Sequence, residues 1–180
     1  MKRHGRSPNT IIYTTLIKGF SKRKDLKAAM SLYTTMKRDM AQGDCAPNNI
    51  TYNSLLDCCV RCNDLSLANQ LWNEMQEVAG LFPDLISYST FIKGYCMEGK
   101  ITEAFKLLDV MIEKDKIMPD EVLFNSLLDG CVRADAFKIG ELVFKKMQQS
   151  HIELSVVAYS IMIKMYGKTG QIDKAFEMLR

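Results

Sequence analysis

Internal repetition constrains this chain most, because a template of about 35 residues recurs along its 180 residues. Three copies of the opening of this template read NITYNSLL from Asn49, LISYSTFI from Leu85 and EVLFNSLL from Glu121. An aromatic residue marks the same place in every copy, at Tyr13, Tyr52, Tyr88, Phe124 and Tyr159. Successive aromatics are 39, 36, 36 and 35 residues apart, so we predict a repeat array.

Each copy contains two stretches of helical periodicity, which predicts a helical hairpin. Gly99 separates the two stretches of one copy, where a left-handed turn is easiest, and prolines stand between copies at positions 47, 83 and 119. A small residue recurs in the second stretch, at Ala29, Ala68, Ala104, Gly140 and Ala175. A single hairpin leaves much apolar surface in water, so the predicted fold class is an all-α solenoid of stacked helical hairpins.

The markers divide the chain into four complete repeats and a partial fifth. The complete repeats are predicted at 10–48, 49–84, 85–120 and 121–155, and the partial repeat at 156–180. Residues 1–9 are interpreted as an N-terminal tail or the end of a preceding repeat. Extra residues around 40–45 lengthen the first repeat. Because Met recurs at 36, 75, 111 and 147, the next is due two residues past Arg180, and we expect a longer protein.

Composition excludes several classes of function. The chain is 47% hydrophobic and 25% charged, which is typical of a folded domain. No apolar run approaches the roughly 18 residues that a membrane span needs, so no membrane partner is expected. A formal charge of +3 permits an anionic partner but does not identify one.

The chain offers no candidate for catalysis, a metal site or a cofactor. Cys59 and Cys62 have a C-x-x-C spacing, but a second pair of ligands for zinc is missing, and the six cysteines are predicted to be reduced. His4 and His151 have no nucleophile arranged beside them, and no glycine-rich phosphate loop occurs. We therefore predict neither an enzyme nor a small-molecule substrate.

The repeats resemble the pentatricopeptide repeat family over residues 10–180. The resemblance lies in Asn53 after Tyr52, in Lys93-Gly94-Tyr95, in Glu103-Ala104-Phe105-Lys106-Leu107-Leu108 and in Met118-Pro119-Asp120. Tetratricopeptide repeats are nearer 34 residues long and have a different aromatic pattern. The resemblance implies that the first helices line a groove for single-stranded RNA, at about one base per repeat.

In that family two residues per repeat read a base: the residue after the aromatic and the last residue of the repeat. The implied pairs are Thr14 with Asn48 for A, Asn53 with Asp84 for U, Ser89 with Asp120 for G, and Asn125 with Ser155 for C over U; Ser160 begins a fifth. The predicted ligand is 5′-A-U-G-C-3′. Helix capping or a turn is the alternative role for Asn53 and Asn125, and an ordinary acidic helix start for Asp84 and Asp120.

Two further series support RNA as the ligand. The resemblance implies that aliphatic side chains sandwich the bases, at Ile11, Ile50, Ile86, Val122 and Val157. Packing against a neighbouring hairpin is their alternative role. Cations recur nine residues after the aromatic in four of five repeats, at Lys22, Arg61, Arg133 and Lys168. They suit phosphate contact or, alternatively, the carboxyl ends of their own helices.

Two main functions compete at the level of sequence, beside a third in which the chain is a tethering segment for a catalytic domain of a longer protein. The first is a sequence-selective RNA-binding module for RNA processing, stability or translation. The resemblance places it in a mitochondrion or plastid, although the chain carries no transit peptide. The second is a helical scaffold that binds a protein partner within a ribonucleoprotein assembly.

Overall fold

A computed structural model of the chain describes residues 8–40, 45–150 and 152–179. Those residues form ten α-helices and no strand. The helices are α1 (Thr10–Lys22), α2 (Leu26–Met40), α3 (Asn49–Arg61), α4 (Leu65–Glu77), α5 (Leu85–Met97), α6 (Ile101–Asp109), α7 (Glu121–Arg133), α8 (Phe137–Gln149), α9 (Val156–Lys168) and α10 (Ile172–Glu177). A π-helical turn over Val110–Lys114 continues α6. Four predicted hairpins are formed by contacts of α1 with α2, α3 with α4, α7 with α8 and α9 with α10, and this confirms an all-α fold of helical hairpins.

Each first helix begins and ends in the same way. At the start of each first helix, a side-chain oxygen accepts a hydrogen bond from the backbone N–H of the residue three positions later. The accepting residues are Asn9, Asn48, Asp84, Asp120 and Ser155. Two residues past each first helix stands a residue with φ between 52° and 71°: Lys24, Asn63, Gly99, Asp135 and Gly170. The prediction of a left-handed turn at Gly99 is confirmed. Recurrent ends of this kind fix the length of every first helix at 13 residues.

The chain forms two compact units, Met1–Gly94 and Tyr95–Arg180, with their boundary inside α5. In the first unit α1 packs against α2 and α3, and α3 packs against α4. Trp72 of α4 stacks on Phe91 of α5 at a ring-centroid distance of 5.0 Å and meets the Tyr88 ring edge-on. Ala29 and Ala68 are completely buried, as close helix packing requires. The hairpins of this unit therefore stack side by side.

The second unit repeats this arrangement. Here α7 packs against α8 and α9, and α6 contacts α7 and α8. Ala104 and Gly140 are buried, and a Cβ atom added to Gly140 would lie only 2.6 Å from Met165 Sδ. Small residues at this marker position are thus needed for space. Tyr159 and Ala175, the fifth-repeat markers, are only half-buried.

The recurrent methionines and most cysteines belong to the core. Met36, Met75, Met111 and Met147 are all completely buried, so the methionines that recur with the repeat pack inside. Every cysteine is a free thiol, and only Cys62 is not buried. Burial raises the pKa of the Cys59 and Cys131 thiols to about 12, so both behave as small apolar side chains.

Some sequence-based predictions fall outside the described residues: those for residues 1–7 of the tail with His4, for most of the first-repeat insertion at 41–44, and for His151. Within the described ranges, no helix combines the length and the apolar character that crossing a membrane requires. Nor does any cluster of His, Cys, Asp and Glu in those ranges suit a metal ion.

Candidate nucleic-acid interface

The second residue of every first helix is an exposed aliphatic side chain. The exposed fractions are 73% for Ile11, 52% for Ile50, 62% for Ile86, 71% for Val122 and 54% for Val157. The aromatic two residues later is buried in the first helices of the first four repeats, α1, α3, α5 and α7. These exposures are inconsistent with the alternative that the series packs against neighbouring hairpins. Five apolar side chains in register on the surface are instead available to an outside ligand.

In the first unit, a cavity of about 360 Å³ opens between two of these aliphatic side chains. Its lining includes Ile50 and Ile86 together with Asn53 and Asp84, the predicted readout pair. The structure therefore brings together four residues that the sequence predicted for one base. Lys18 and Lys22 of α1 also line this cavity, so positive charge lies beside it.

The polar side of the cavity is a network of short hydrogen bonds. The Asn53 amide nitrogen donates to Asp84 Oδ1 at 3.0 Å. Ser87 Oγ lies 2.6 Å from Asn53 Oδ1 and 2.9 Å from Asp84 Oδ1, so its single proton bridges the two readout residues. Asp84 also accepts the Ser87 backbone N–H at 2.9 Å, which starts α5. The capping role of Asp84 is thus real, and it coexists with a place in the cavity.

The Asp84 carboxyl is held in its ionised form. Burial by itself would raise its pKa, but hydrogen bonds from the Ser87 backbone N–H, from Asn53 and from the Ser87 hydroxyl outweigh burial and lower the pKa below its ordinary value. At neutral pH the carboxylate is therefore only a hydrogen-bond acceptor.

Thr14 and Asn48 are connected in the same manner. Thr14 Oγ1 lies 2.9 Å from Thr51 Oγ1, and Thr51 Oγ1 donates to Asn48 Oδ1 at 3.1 Å. Asn48 also accepts the Thr51 backbone N–H at 3.0 Å. Thr51 and Ser87 were not predicted as site residues, although both follow the aliphatic residue directly in aligned copies of the template.

The readout pair of the second unit is not bridged by a hydroxyl. The Asn125 amide nitrogen donates to Glu121 Oε1 at 3.0 Å, while Asn125 Oδ1 is buried and has no hydrogen-bond partner among the described residues. Ser155 Oγ accepts the Ala158 N–H at 3.5 Å. A cavity of about 280 Å³ is lined by Val157 with other residues of α9.

The remaining readout candidates have local partners. Asp120 caps α7 by accepting the Leu123 N–H at 2.8 Å. The hydroxyls of Ser89 and Ser160 donate to the backbone carbonyls four residues earlier, at 2.6 and 2.7 Å. Neither Asn53 nor Asn125 caps a helix, since each is the fifth residue of a first helix. The capping alternative therefore applies to the last residue of the repeats and not to these two asparagines.

Three of the four predicted phosphate contacts are engaged within the protein. Arg61 pairs with Asp57 at 2.6 Å and Arg133 with Asp129 at 3.0 Å, each across one helical turn. Lys168 Nζ donates at 3.0 Å to the Val132 carbonyl, near the end of α7. Lys168 therefore contacts the end of the preceding first helix and not, as the alternative predicted, the end of its own.

Two lysines that were not predicted as site residues line the cavities. Lys18 is beside the first cavity and Lys164 beside the second, each one turn before a predicted phosphate contact. Neither has an ion-pair partner in the described parts of the chain. Lysine and aspartate alternate at this position, five residues after the aromatic, as Lys18, Asp57, Lys93, Asp129 and Lys164. That alternation was readable from the sequence.

Helical hairpins with a recurring exposed aliphatic residue and a polar pair define a helical-repeat binding protein. The model of the PPR repeat family matches residues 8–61, 47–97, 83–122 and 119–168, and a model of the PPR repeat matches 157–180. The chain belongs to the pentatricopeptide repeat family, as the resemblance predicted.

Known proteins of the family share both sequence and fold with this chain. A chloroplastic pentatricopeptide repeat-containing protein of Arabidopsis thaliana is 29% identical over 92% of this chain and 21% of its own length. A mitochondrial one from the same plant is 26% identical over 94% and 23%. The maize protein PPR10, solved in complex with an 18-nt psaJ RNA element, matches with a TM-score of 0.79 and 25% identity over 98% of this chain and 25% of that chain. The fold class is therefore the α-solenoid of stacked hairpins, and the chain spans about a quarter or less of these relatives.

Proposed function

We propose that this chain binds single-stranded RNA through its first helices, at one base per repeat. One observation carries the proposal: Ile50, Ile86, Asn53 and Asp84 line a single cavity in the first unit. Two exposed aliphatic side chains provide apolar contact for the faces of a base, and the polar pair faces its hydrogen-bonding edge. PPR10, a relative in fold, is solved with RNA, which supports the same class of ligand.

The chemistry of the Asn53 and Asp84 pair favours uracil. Asn53 has one amide proton bound to Asp84 and a second one to donate, whereas the ionised Asp84 only accepts. Uracil offers an acceptor, O4, beside a donor, N3–H. Cytosine presents a donor beside an acceptor and adenine does the same, so both would leave like groups facing each other. Guanine has the same order as uracil but is larger.

The other pairs extend the target to 5′-A-U-G-C-3′. Thr14 with Asn48 is assigned to A, Ser89 with Asp120 to G, and Asn125 with Ser155 to C over U, by resemblance to the family. The aliphatic residues Ile11, Val122 and Val157 would contact neighbouring bases. The repeat bounds 10–48, 49–84, 85–120 and 121–155 each then supply one base.

Phosphate contacts are proposed for two sets of cations. Lys22, Arg61, Arg133 and Lys168 form the first set, but the partners of the last three weaken their attraction for phosphate. Lys18 and Lys164 form the second set, and both line the cavities without ion-pair partners in the described regions. Cations beside an RNA backbone add affinity that depends on salt and not on base sequence.

We infer that the whole protein acts on RNA in a mitochondrion or plastid, because relatives are chloroplastic and mitochondrial. In this inference the chain contributes binding and no catalysis. Its affinity alone is expected to be weak. Association costs about 4–15 kcal/mol, whereas stacking contributes roughly 1–3 kcal/mol per base.

Equilibrium binding of short labelled RNAs at low salt tests this function. The unmodified chain should prefer an RNA with A-U-G-C over the same RNA with A, C or G at the second base, by about fivefold or more for one mismatched pair. The double variant Asn53→Thr with Asp84→Asn copies the Thr14 and Asn48 pair and should move the preference at that base from U to A. Equal binding of all four RNAs by both proteins would refute base readout and favour the protein-scaffold alternative.

A further inference from the structure

A hydroxyl group connects the two readout residues wherever the third residue of the next first helix is Thr or Ser. Thr51, third in α3, lies between Thr14 and Asn48 at 2.9 and 3.1 Å. Ser87, third in α5, lies between Asn53 and Asp84 at 2.6 and 2.9 Å. Both hydroxyl residues are completely buried, so these contacts are shielded from competing water.

Later first helices lack this hydroxyl. Leu123 is third in α7 and Ala158 is third in α9. In the second unit, Asn125 Oδ1 is buried without a partner, whereas the equivalent oxygen of Asn53 accepts the Ser87 proton at 2.6 Å. The orphan acceptor occurs in the fourth repeat, for which the third residue of the next first helix is Ala158. A buried acceptor without a partner costs free energy and leaves the amide free to seek another donor.

We propose that Thr51 and Ser87 are positioning residues that determine how strictly the first and second repeats discriminate between bases. This inference rests on the proposed RNA function. The shorter of the two Ser87 hydroxyl contacts is to Asn53 Oδ1, at 2.6 Å, and it leads Asn53 to present its amide hydrogen, and not its oxygen, to the base. Without that proton the oxygen is free to accept from the N4 amino group of cytosine. Loss of the hydroxyl therefore relaxes the preference for uracil over cytosine.

The same reasoning predicts an uneven readout along the chain. The first two repeats, which have the bridging hydroxyl, discriminate strictly. The fourth repeat is followed by Ala158 as the third residue of the next first helix, and it discriminates loosely. A new hydroxyl at that place should change its base preference. Asn is the first readout residue of both the second and fourth repeats, so these repeats differ in the second readout residue, Asp84 or Ser155, and in the bridging hydroxyl.

Three single variants test the inference, and the quantity measured is a ratio of affinities for two RNAs that differ at one base. A ratio cancels any uniform loss of active protein. Ser87→Ala should lower the preference for U over C at the second base by about three- to tenfold, the value of one hydrogen bond. Ser87→Thr keeps a hydroxyl at this position, as Thr51 does for the Thr14 and Asn48 pair, and should keep the preference for U over C. Ala158→Ser should shift the ratio of affinities for C and U at the fourth base toward U by a similar factor.

The outcomes separate this inference from the function on which it rests. If the unmodified chain prefers U and Ser87→Ala prefers it equally, the positioning role is overturned and RNA readout stands. An unchanged fourth-base ratio in Ala158→Ser also overturns it. If the unmodified chain shows no base preference, the proposed function fails, and the inference fails with it. A loss in Ser87→Ala, restored in Ser87→Thr, supports the role, since a purely structural defect lowers the affinity for both RNAs alike.

Discussion

The close approach of neighbouring hairpins predicts opposite effects for one substitution at two equivalent glycines. Gly19 in α1 and Gly94 in α5 both lie six residues after the repeat aromatic. A Cβ atom at Gly94 would lie 2.8 Å from Val60 Cγ2 and 2.8 Å from Leu65 Cδ2. No described atom comes within 4 Å of a Cβ atom at Gly19, chain neighbours and its own helix backbone aside. The two sites thus differ in available space.

The magnitudes follow from two opposing terms. Inside a helix, Ala is favoured over Gly by about 0.5–1 kcal/mol, so Gly19→Ala should stabilise the protein by that amount. At Gly94 the same gain is opposed by overpacking, which costs about 1–3 kcal/mol, and the β-branched Val60 has little freedom to move away. Since the helix-propensity term cancels, the free energies of unfolding of the two variants should differ by about 1–3 kcal/mol.

Urea unfolding followed by circular dichroism at the helical band measures this difference. In thermal unfolding, each 1 kcal/mol should appear as a shift of roughly 2–4 °C for a chain of this size. Gly19→Ala is the matched control, because it makes the same chemical change without a neighbour. If both variants shift the midpoint in the same direction by the same amount, then α5 does not approach the α3 and α4 hairpin closely, and the described packing is wrong.

Two further predictions concern charge. Lys18→Gln should reduce the slope of log affinity against log salt for RNA binding by about 0.7 without changing base preference. Lys27→Gln, on α2 and outside both cavities, should leave the slope unchanged, and equal slopes for the two variants would exclude a phosphate contact at Lys18. Hydrogen bonds lower the carboxyl pKa of Asp84 and Glu74 in the fold, against the effect of burial. Their stabilisation is therefore present above about pH 4 and is lost as pH falls through the lowered pKa values. Thermal melting between pH 7 and pH 2.5 should show this loss, and Asp84→Asn should show less of it; an identical pH profile for the variant would contradict the assignment.

Much of the fold was predictable because the repeat encodes it locally. The aromatic and small-residue markers give the period, and Gly99 gives a turn that its φ of 71° confirms. Lys24 and Asp135 adopt the same left-handed conformation without being glycine, so their positions were readable only from the period. Local signals thus predicted the hairpins, and repetition predicted where the less obvious turns lie.

Side-chain contacts between hairpins were harder to predict. Arg61 with Asp57 has the four-residue spacing of a helical ion pair, so its neutralisation was readable from sequence. The bond from Lys168 to the Val132 carbonyl joins residues 36 apart and depends on how two hairpins stack. The bridge from Ser87 to Asn53 likewise crosses between hairpins. Periodicity gives the faces of helices, but it does not give which polar atoms meet across them.

Selection from a randomised single-stranded RNA library tests the central claim most directly. The unmodified chain should enrich A-U-G-C in that order, with U the most strictly selected of the last three bases. The Asn53→Thr with Asp84→Asn variant, selected in parallel, should enrich A in place of U at that position alone. Enrichment no different from the starting library, or the same element from both proteins, would contradict the account that these repeats read RNA one base at a time.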